Sequence, residues 1–401
     1  MKNKNTGILL FILFLATVNG VAQTKHRYLF PTDIKTGAQR FELYLGLIKG
    51  KNVGILANHT STLGKVHVVD TLFHQGIKIV RIFSPEHGFR GKMEAGEKFE
   101  NMKDPGTGIP VISMYGKNLK PDAKDLEGIN VMLIDLQDVG VRFYTYISSM
   151  QYMMEACAKA NIQVLILDRP NPNGFFIDGP ILDKKEVSFV GLNPLPLVHG
   201  MTMGELATMI NEESWLSKGL KCNLKVIPVF NYGHVDYYHL PIPPSPNLPN
   251  MAAVYLYPTL GLFEGTIVSV GRGTGTPFQL IGYPGLKDAP DSFMPVSMPG
   301  YSLTPPYKDQ ECKGFKLTEF GESFIRDGAK LYLFWLLELY KSAPDKKHFF
   351  TSYFDQLAGT PLLRKMIIQG KTEEEIRESW KPGITAFKKL RKKYLLYPDF
   401  E

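Results

Sequence analysis

The sequence has little of what marks the specialised classes of protein. Its 401 residues include three cysteines, Cys157, Cys222 and Cys312, too few for a disulfide-built scaffold, although a Cys222–Cys312 bridge remains open. The surplus of 46 basic over 39 acidic side chains is small for this length and indicates no nucleic-acid partner. Gly-x-Ser-x-Gly, His-Glu-x-x-His and Walker phosphate-binding sequences are all missing. These absences argue against common esterases, zinc proteases and P-loop nucleotide-binding proteins.

Long hydrophobic runs are equally scarce, and the one at the amino terminus indicates export. Lys2 and Lys4 precede an apolar stretch over residues 8–18, and small residues suit cleavage after Ala22. The pattern predicts a signal peptide over residues 1–22, with an uncleaved anchor as the alternative. No later stretch reaches the roughly 18 apolar residues of a membrane span. We expect a periplasmic or extracellular mature protein without a membrane span, its oligomeric state left open.

Apolar strands alternate with helical stretches through the first half of the mature chain. The predicted strands are 53–57, 77–83, 111–114, 129–134, 162–167 and 224–229, and the predicted helices include 66–75, 121–126, 144–160 and one starting at 202. Strands that are apolar on both faces and separated by helices predict a Rossmann-like, mostly parallel α/β sheet.

The composition changes at a proline-rich segment over residues 241–249, which is either a linker or an ordered wall. A glycine-rich stretch follows, and helices are predicted over 323–340 and from a capping box at 372. We therefore expect a Rossmann-like catalytic domain over residues 23–245 and a smaller α+β auxiliary domain over residues 246–401.

Polar side chains gather where the predicted strands end. In a doubly wound sheet, ligands bind outside the carboxyl ends of the strands. The residues that follow the strands here are Asn58 and His59, then Glu86, His87 and Arg90, then Asp135, Gln137, Asp138, Arg142 and Tyr144, and finally Asp168 and Arg169. Such recurrence predicts a single functional crevice at this edge of the sheet.

The residues at these strand ends match neither a dinucleotide-binding site nor a metal site. The first strand runs into Asn58 and His59 instead of a glycine-rich dinucleotide fingerprint. His59, His87 and Asp135 are capable metal ligands, but their spacing matches no known ligand set. We therefore expect neither a metal ion nor another cofactor.

Glu86 is the carboxylate best placed for acid chemistry. It follows Pro85 at the end of an apolar strand and precedes a turn that contains Gly88. A partly desolvated carboxyl can stay protonated near neutrality, as a general acid for glycoside cleavage requires. The alternative is a carboxylate that caps a helix or forms a salt bridge.

Longer strings of the sequence carry a family resemblance. These strings lie at 83–91, which reads Phe-Ser-Pro-Glu-His-Gly-Phe-Arg-Gly, and at 135–146, 168–174, 199–202, 244–249, 263–266 and 271–274. They resemble the NamZ-type exo-β-N-acetylmuramidases, which are peptidoglycan hexosaminidases. The resemblance implies a Rossmann-like amino-terminal domain, a smaller carboxyl-terminal domain and a cleft between them. It also implies release of N-acetylmuramic acid from non-reducing ends of peptidoglycan glycan, with Glu86 as the catalytic residue.

The implied substrate carries a lactyl carboxylate, and a guanidinium binds a carboxylate through two parallel hydrogen bonds. The candidates for this contact are Arg142, Arg169 and Arg272. Other residues of the shared strings are assigned to catalysis or substrate binding: His87 and His199 for hydroxyl groups or for orienting Glu86, Tyr144 and Tyr146 for stacking on sugar, and Asn247 and Glu264.

Several alternatives stay open at this point. The second catalytic carboxylate is one of Asp135, Asp138 and Glu264, or is replaced by the acetamido group of the substrate. A non-catalytic, two-domain sugar- or solute-binding protein is the main competing function. A metal-dependent deacetylase or esterase is a weaker one. Glu86 discriminates between the glycosidase and the binding protein, because a binding protein needs no proton donor, and loss of activity on chelation would favour the metal-dependent enzyme.

Overall fold

The computed structural model describes residues 33–90, 102–323 and 325–401. The predicted signal peptide over residues 1–22 lies outside this range, as does Gly91 of the string around Glu86. Within the described residues, no helix combines the length and the apolar character needed to cross a bilayer.

A seven-stranded sheet forms the centre of the described amino-terminal part, in the order β5-β6-β4-β1-β7-β8-β9. Every neighbouring pair is parallel except β5 with β6. The bounds in chain order are β1 Val53–Ala57, β2 Thr62–Leu63, β3 Val66–His67, β4 Ile79–Ser84, β5 Met102–Lys103, β6 Pro110–Ser113, β7 Val131–Asp135, β8 Gln163–Leu167 and β9 Leu224–Ile227. The predicted Rossmann-like, mostly parallel sheet is thereby confirmed; β2 and β3 form a separate small hairpin.

Helices cover both faces of the sheet, because successive side chains of a strand point to opposite sides. Ile55 packs into one core with α1 (Phe41–Ile48) and α2 (Val68–His74). Its neighbour Leu56 packs into the other core with α3 (Tyr146–Lys159) and α4 (Met203–Glu212). The near-continuous apolar strands of the sequence are thus explained by burial on two faces.

The carboxyl-terminal part joins this second core instead of forming an isolated one. Its apolar side chains, from Leu260 to Phe387, belong to the same buried cluster as Leu56. Its elements are α5 Met251–Leu260, β10 Leu280–Tyr283, β11 Asp291–Phe293, β12 Cys312–Lys316, α6 Thr318–Ser323, α7 Ile325–Gly328, α8 Phe334–Ser342, α9 Tyr353–Ala358, α10 Pro361–Ile368 and α11 Glu373–Arg391. Strands β10, β12 and β11 make an antiparallel sheet.

One predicted helix is wrong, and another is interrupted. Residues 121–126 form turns, because the Asp122 carboxylate accepts the backbone N–H groups of Lys124 and Asp125 at 2.8 and 2.9 Å and competes with helical bonding. The stretch 323–340 is broken after Gly328, where Ala329 has a positive φ of 43°. The capping boxes that begin α4 and α11 are confirmed, and all three cysteines are free and buried, so no Cys222–Cys312 bridge forms.

The last residues of the chain return to the sheet. The Tyr397 hydroxyl donates to the Asp168 carboxylate at 2.5 Å and accepts the Val229 N–H at 2.9 Å, just beyond β8 and β9. Arg391 at the end of α11 holds this tail through two bonds of 2.7 Å to Asp399. The carboxyl-terminal tail, residues 394–401, therefore fills one part of the crevice that the sequence predicts to be open.

Candidate active site

A polar pocket lies beyond the carboxyl end of β4, between the sheet and the carboxyl-terminal elements. It is lined by Glu86, His87, Phe143, Tyr144, Thr145, Ser245, Asn247, Leu248, Tyr257, Arg272 and Phe278. The proline-rich segment 241–249 is an ordered wall of this pocket and not a loose linker. The structure thus brings together five of the predicted site residues: Glu86, His87, Tyr144, Asn247 and Arg272.

Glu86 is held by hydrogen bonds to both its carboxylate and its backbone. The Thr145 hydroxyl donates to Oε2 at 2.9 Å. The Tyr146 hydroxyl donates to the Glu86 carbonyl at 3.3 Å, and Asn58 Nδ2 donates to that hydroxyl at 2.7 Å. Burial and the nearby, hydrogen-bonded Glu86 carboxylate raise the pKa of Tyr115. These contacts fix the position of the carboxyl group in the pocket.

The turn after Glu86 has an unusual backbone. His87 has a φ of 72° and Gly88 one of 79°, and the Gly88 N–H donates to the Pro85 carbonyl at 3.2 Å. A positive φ is uncommon for a residue with a side chain, and such strain concentrates at functional sites. Phe278, on the opposite wall, also has a positive φ of 55°. The strained turn lets buried His87 and partly exposed Glu86 face one pocket.

Arg272 supplies the positive charge of the pocket. Its Nε donates to Glu264 at 2.7 Å, and its guanidinium lies 5.1 Å from the centre of the Phe278 ring. Burial opposes the charge, but the Glu264 carboxylate outweighs it and raises the pKa of Arg272. Within the described residues the Nη atoms have no protein acceptor, so the end of the fork is available for an anion.

Only one of the three candidates for the second carboxylate lies beside this pocket. Asp135 is fully buried and binds Arg169 through bonds of 2.5 and 2.9 Å. Asp138 is buried, accepts the Gly140 N–H at 2.6 Å, and has its pKa raised to about 7 by burial. Neither lines the pocket, whereas Glu264 contacts it through Arg272.

Two of the three arginines predicted to bind a substrate carboxylate lie in the interior and do not line this pocket. Arg142 is only 2% exposed and donates to the carbonyls of Pro180, Leu195 and Leu357. Burial lowers the pKa of Arg142 to about 9. Arg169 is occupied by Asp135. Both guanidinium groups bind protein acceptors in the interior, so of these three only Arg272 reaches the pocket.

The remaining predicted residues do not line the pocket and contact other groups of the protein. Arg90 bridges Asp70 and Asp104 at 2.8 to 2.9 Å. Burial lowers the pKa of His199 to about 3, with its Nε2 3.7 Å from Asp138. The other contacts are His59 Nε2 with the Pro243 carbonyl, Gln137 with the Asp138 and Pro170 carbonyls, and Asp168 with Thr202, Gly204 and Tyr397. Burial raises the pKa of Asp168 to about 6.

Two further expectations concerned sugar stacking and metal binding. Tyr144 and Tyr146 are buried, their rings packed edge to face at 4.8 Å, and the Tyr144 hydroxyl donates to the Pro244 carbonyl at 2.8 Å. Both rings pack mainly with protein, and of the two only Tyr144 lines the pocket. In residues 33–90, 102–323 and 325–401, no three His, Cys, Asp or Glu side chains are grouped to hold a metal ion. Asp135, considered above as a ligand, is committed to Arg169.

Sequence reasoning missed several residues around Glu86. Thr145 stands inside one of the quoted strings, and its position just before α3 is its only signal. Tyr115 follows β6, so applying the strand-end rule to that strand would have found it. Tyr353 comes from α9, where no pattern marks it; burial and the charges of Glu264 and Glu86 raise its pKa to about 12.

The chain is similar to known proteins over most of its length. The family models for the amino-terminal and carboxyl-terminal domains of exo-β-N-acetylmuramidase NamZ match residues 53–252 and 255–397. The peptidoglycan β-N-acetylmuramidase NamZ of Bacillus subtilis (strain 168) is 37% identical over 372 residues, which cover 88% of this chain and 89% of that protein.

Two solved structures are also similar to this chain. A DUF1343 family protein of Bacteroides fragilis NCTC 9343 has 45% identity and a TM-score of 0.85 over 92% of this chain and 100% of its own. Another from the same bacterium has 29% identity and a TM-score of 0.77 over 91% and 99% of the two chains. With both domain models matched along the chain, the protein belongs to the NamZ exo-β-N-acetylmuramidase family.

Proposed function

We propose that this protein is an exo-acting glycoside hydrolase that releases N-acetylmuramic acid from the non-reducing ends of peptidoglycan glycan. The observation that carries the proposal is the pocket that holds the Glu86 carboxyl group together with the Arg272 guanidinium. A proton donor and a carboxylate receptor are the two groups that cleavage of this acidic sugar requires. The activity of the Bacillus subtilis relative, which its name describes, supports the same reaction.

In this mechanism Glu86 is the general acid. It donates its proton to the glycosidic oxygen as the bond to the muramic acid anomeric carbon breaks, because a sugar alkoxide is a poor leaving group. Thr145 and Tyr115 hold the carboxyl group in place through hydrogen bonds. Water supplies the hydroxyl group of the released sugar, and Glu86 regains a proton from solvent.

The other groups of the pocket position the substrate. The free end of the Arg272 fork binds the lactyl carboxylate and thereby selects N-acetylmuramic acid over N-acetylglucosamine. With Asp135 and Asp138 committed to the interior, the second catalytic role falls to Glu264 or to the acetamido group of the substrate.

Incubation with a peptide-free disaccharide that carries N-acetylmuramic acid at its non-reducing end tests the reaction directly. Mass spectrometry should show free N-acetylmuramic acid and N-acetylglucosamine, the muramic acid gaining the oxygen of isotopically labelled water. An isomeric disaccharide with N-acetylmuramic acid only at the reducing end is the control and should stay intact. Tight binding of the substrate without any turnover would instead identify a sugar-binding protein.

We also propose that the protein acts after export. Lys2 and Lys4, the apolar stretch that follows and the small residues before Gln23 support a cleaved signal peptide. Expression of the full chain in a Gram-negative host, fractionation and amino-terminal sequencing should give a protein that begins at Gln23 in the periplasmic fraction. An intact Met1 on protein from the cytoplasm would disprove the proposal.

A further inference from the structure

A second and larger cavity opens in the carboxyl-terminal part, away from Glu86. It has a volume of about 490 Å³ and lies among the end of α8, the segment 346–352 and α9–α10. We call it the carboxyl-terminal cavity; the residues that matter are Tyr340, Lys346, Lys347, Phe350, Asp355 and Arg364. Nothing in the mechanism above uses these residues.

The floor of the carboxyl-terminal cavity is aromatic. Tyr340 and Phe350 stack with their ring centres 5.4 Å apart and an angle of 27° between their planes. Both side chains are half-buried, so part of each ring faces the cavity. Lys346 lies beside this floor, with its Nζ 5.8 Å from the centre of the Tyr340 ring. The part of these stacked rings that faces the cavity suits contact with the carbon-bound hydrogens of a pyranose ring.

The rim of the carboxyl-terminal cavity carries positive charge. Among the residues named above, Asp355 carries the one carboxylate. Arg364 neutralises it through hydrogen bonds of 2.9 and 2.7 Å. Lys346 and Lys347 are exposed, and neither forms an ion pair with any residue that the structure describes. Two ammonium groups next to an aromatic floor favour a ligand that is both a sugar and an anion.

The carboxyl-terminal cavity is joined to the active-site pocket by a short piece of backbone. The Thr351 N–H donates to the Gly265 carbonyl and the Ile267 N–H to the Phe349 carbonyl, both at 2.9 Å. Gly265 directly follows Glu264, the partner of Arg272. Two residues after Thr351, Tyr353 is close enough to Glu264 and Glu86 for their charges to affect its hydroxyl. The segment 349–353 thus connects the carboxyl-terminal cavity to Glu264, beside the active-site pocket.

We propose that the carboxyl-terminal cavity binds an anionic saccharide unit of the same glycan, beyond the bond that is cleaved. The proposal rests on the proposed function. An exo-acting enzyme holds one terminal sugar in its pocket, so the rest of the glycan lies across the neighbouring surface. In peptidoglycan N-acetylmuramic acid alternates with N-acetylglucosamine, and the next muramic acid again presents a lactyl carboxylate. Its pyranose ring contacts the exposed part of the Tyr340–Phe350 stack, and its carboxylate is bound by Lys346 and Lys347.

The test compares two substrates and two variants. One substrate is 4-nitrophenyl N-acetylmuramide, which has no second muramic acid. The other is a peptide-free tetrasaccharide in which N-acetylmuramic acid alternates with N-acetylglucosamine, with N-acetylmuramic acid at the non-reducing end. Lys346→Glu/Lys347→Glu reverses the charge of the rim. The control, Lys49→Glu/Lys51→Glu, makes the same change just before β1, at the opposite end of the strands.

The rim variant should lose about five- to tenfold in kcat/KM on the tetrasaccharide, through KM, because two attractive charges become repulsive. The nitrophenyl substrate should be cleaved at the wild-type rate by both variants. The loss should shrink at about 1 M salt, where exposed charges are screened. The control variant should match wild type on both substrates.

Other outcomes overturn the inference. An equal loss of kcat/KM on both substrates would show that the lysines act on the pocket or the fold. Wild-type kcat/KM on both substrates would show that the cavity binds no glycan. A loss of kcat/KM that appears only with peptide-bearing glycan would show that Lys346 and Lys347 bind a stem-peptide carboxylate. Calorimetric titration of both variants with the tetrasaccharide shows whether the carboxyl-terminal cavity contributes to binding, even without turnover. Failure of wild type on the nitrophenyl substrate would instead count against the proposed function.

Discussion

Glu86→Gln should lower kcat by about 10²- to 10⁴-fold, the range that general acid catalysis typically contributes. Glutamine keeps the shape of the side chain and its contact with Thr145, whose hydroxyl can rotate to accept a hydrogen bond. Substrate Kd and Tm should therefore stay near their wild-type values. Turnover of the muramic-acid-terminated disaccharide, calorimetric titration and thermal unfolding measure the three quantities.

The Glu86→Gln variant needs a matched control. Glu127→Gln, at an exposed glutamate before β7, is the matched control and should behave as wild type. Wild-type turnover in Glu86→Gln would move the acid role to Glu264. A large fall in Tm would show that Glu86 supports the fold.

Arg272→Ala should reduce the preference for N-acetylmuramic acid over N-acetylglucosamine by about thirtyfold or more. The reason is that truncating one member of a hydrogen-bonded charge pair costs about 2–5 kcal/mol. The 4-nitrophenyl glycosides of the two sugars measure this preference as a ratio of kcat/KM values. The value of kcat/KM should fall for the muramide alone. Arg272→Lys should recover only part of it, because an ammonium keeps the charge but not the fork.

A control is needed for the pair that Arg272 forms with Glu264. Glu264→Gln keeps a hydrogen-bond acceptor for Arg272 Nε while it removes the negative charge, so preference for the muramide should be retained. If Arg272→Ala lowers kcat/KM equally on both glycosides, Arg272 maintains the pocket and another group binds the carboxylate.

The sheet could be predicted from the sequence because burial on both faces requires a short apolar run in each strand. Each strand is a short apolar run, and each is followed by polar residues whose common edge is fixed by the parallel topology. Glu86 and His87 were found in this way, and their place in the pocket follows from the end of β4. The broken helix after Gly328 was missed, because apolar spacing alone does not record a positive φ at Ala329.

The arginines show where local pattern stops being informative. Arg142 and Arg272 both stand in strings shared with the family, yet Arg142 binds the Leu357 carbonyl, 215 positions away, and is buried. Whether a guanidinium meets protein or solvent depends on segments that are distant in sequence. Tyr353 was missed for the same reason, since only the packed carboxyl-terminal part places it near Glu86.

The carboxyl-terminal tail has a consequence for how the chain is made. Tyr397 supplies the hydroxyl group that satisfies both Asp168 and the Val229 N–H, and Pro398 accepts the His234 N–H at 2.9 Å. The loops that follow β8 and β9 therefore obtain hydrogen bonds from a residue that is synthesised 229 and 168 positions later. Domain-by-domain folding during translation, the usual route for multidomain chains, cannot complete the amino-terminal part before that residue is made. Until then the loops lack these bonds, and the nascent amino-terminal part stays accessible to a chaperone.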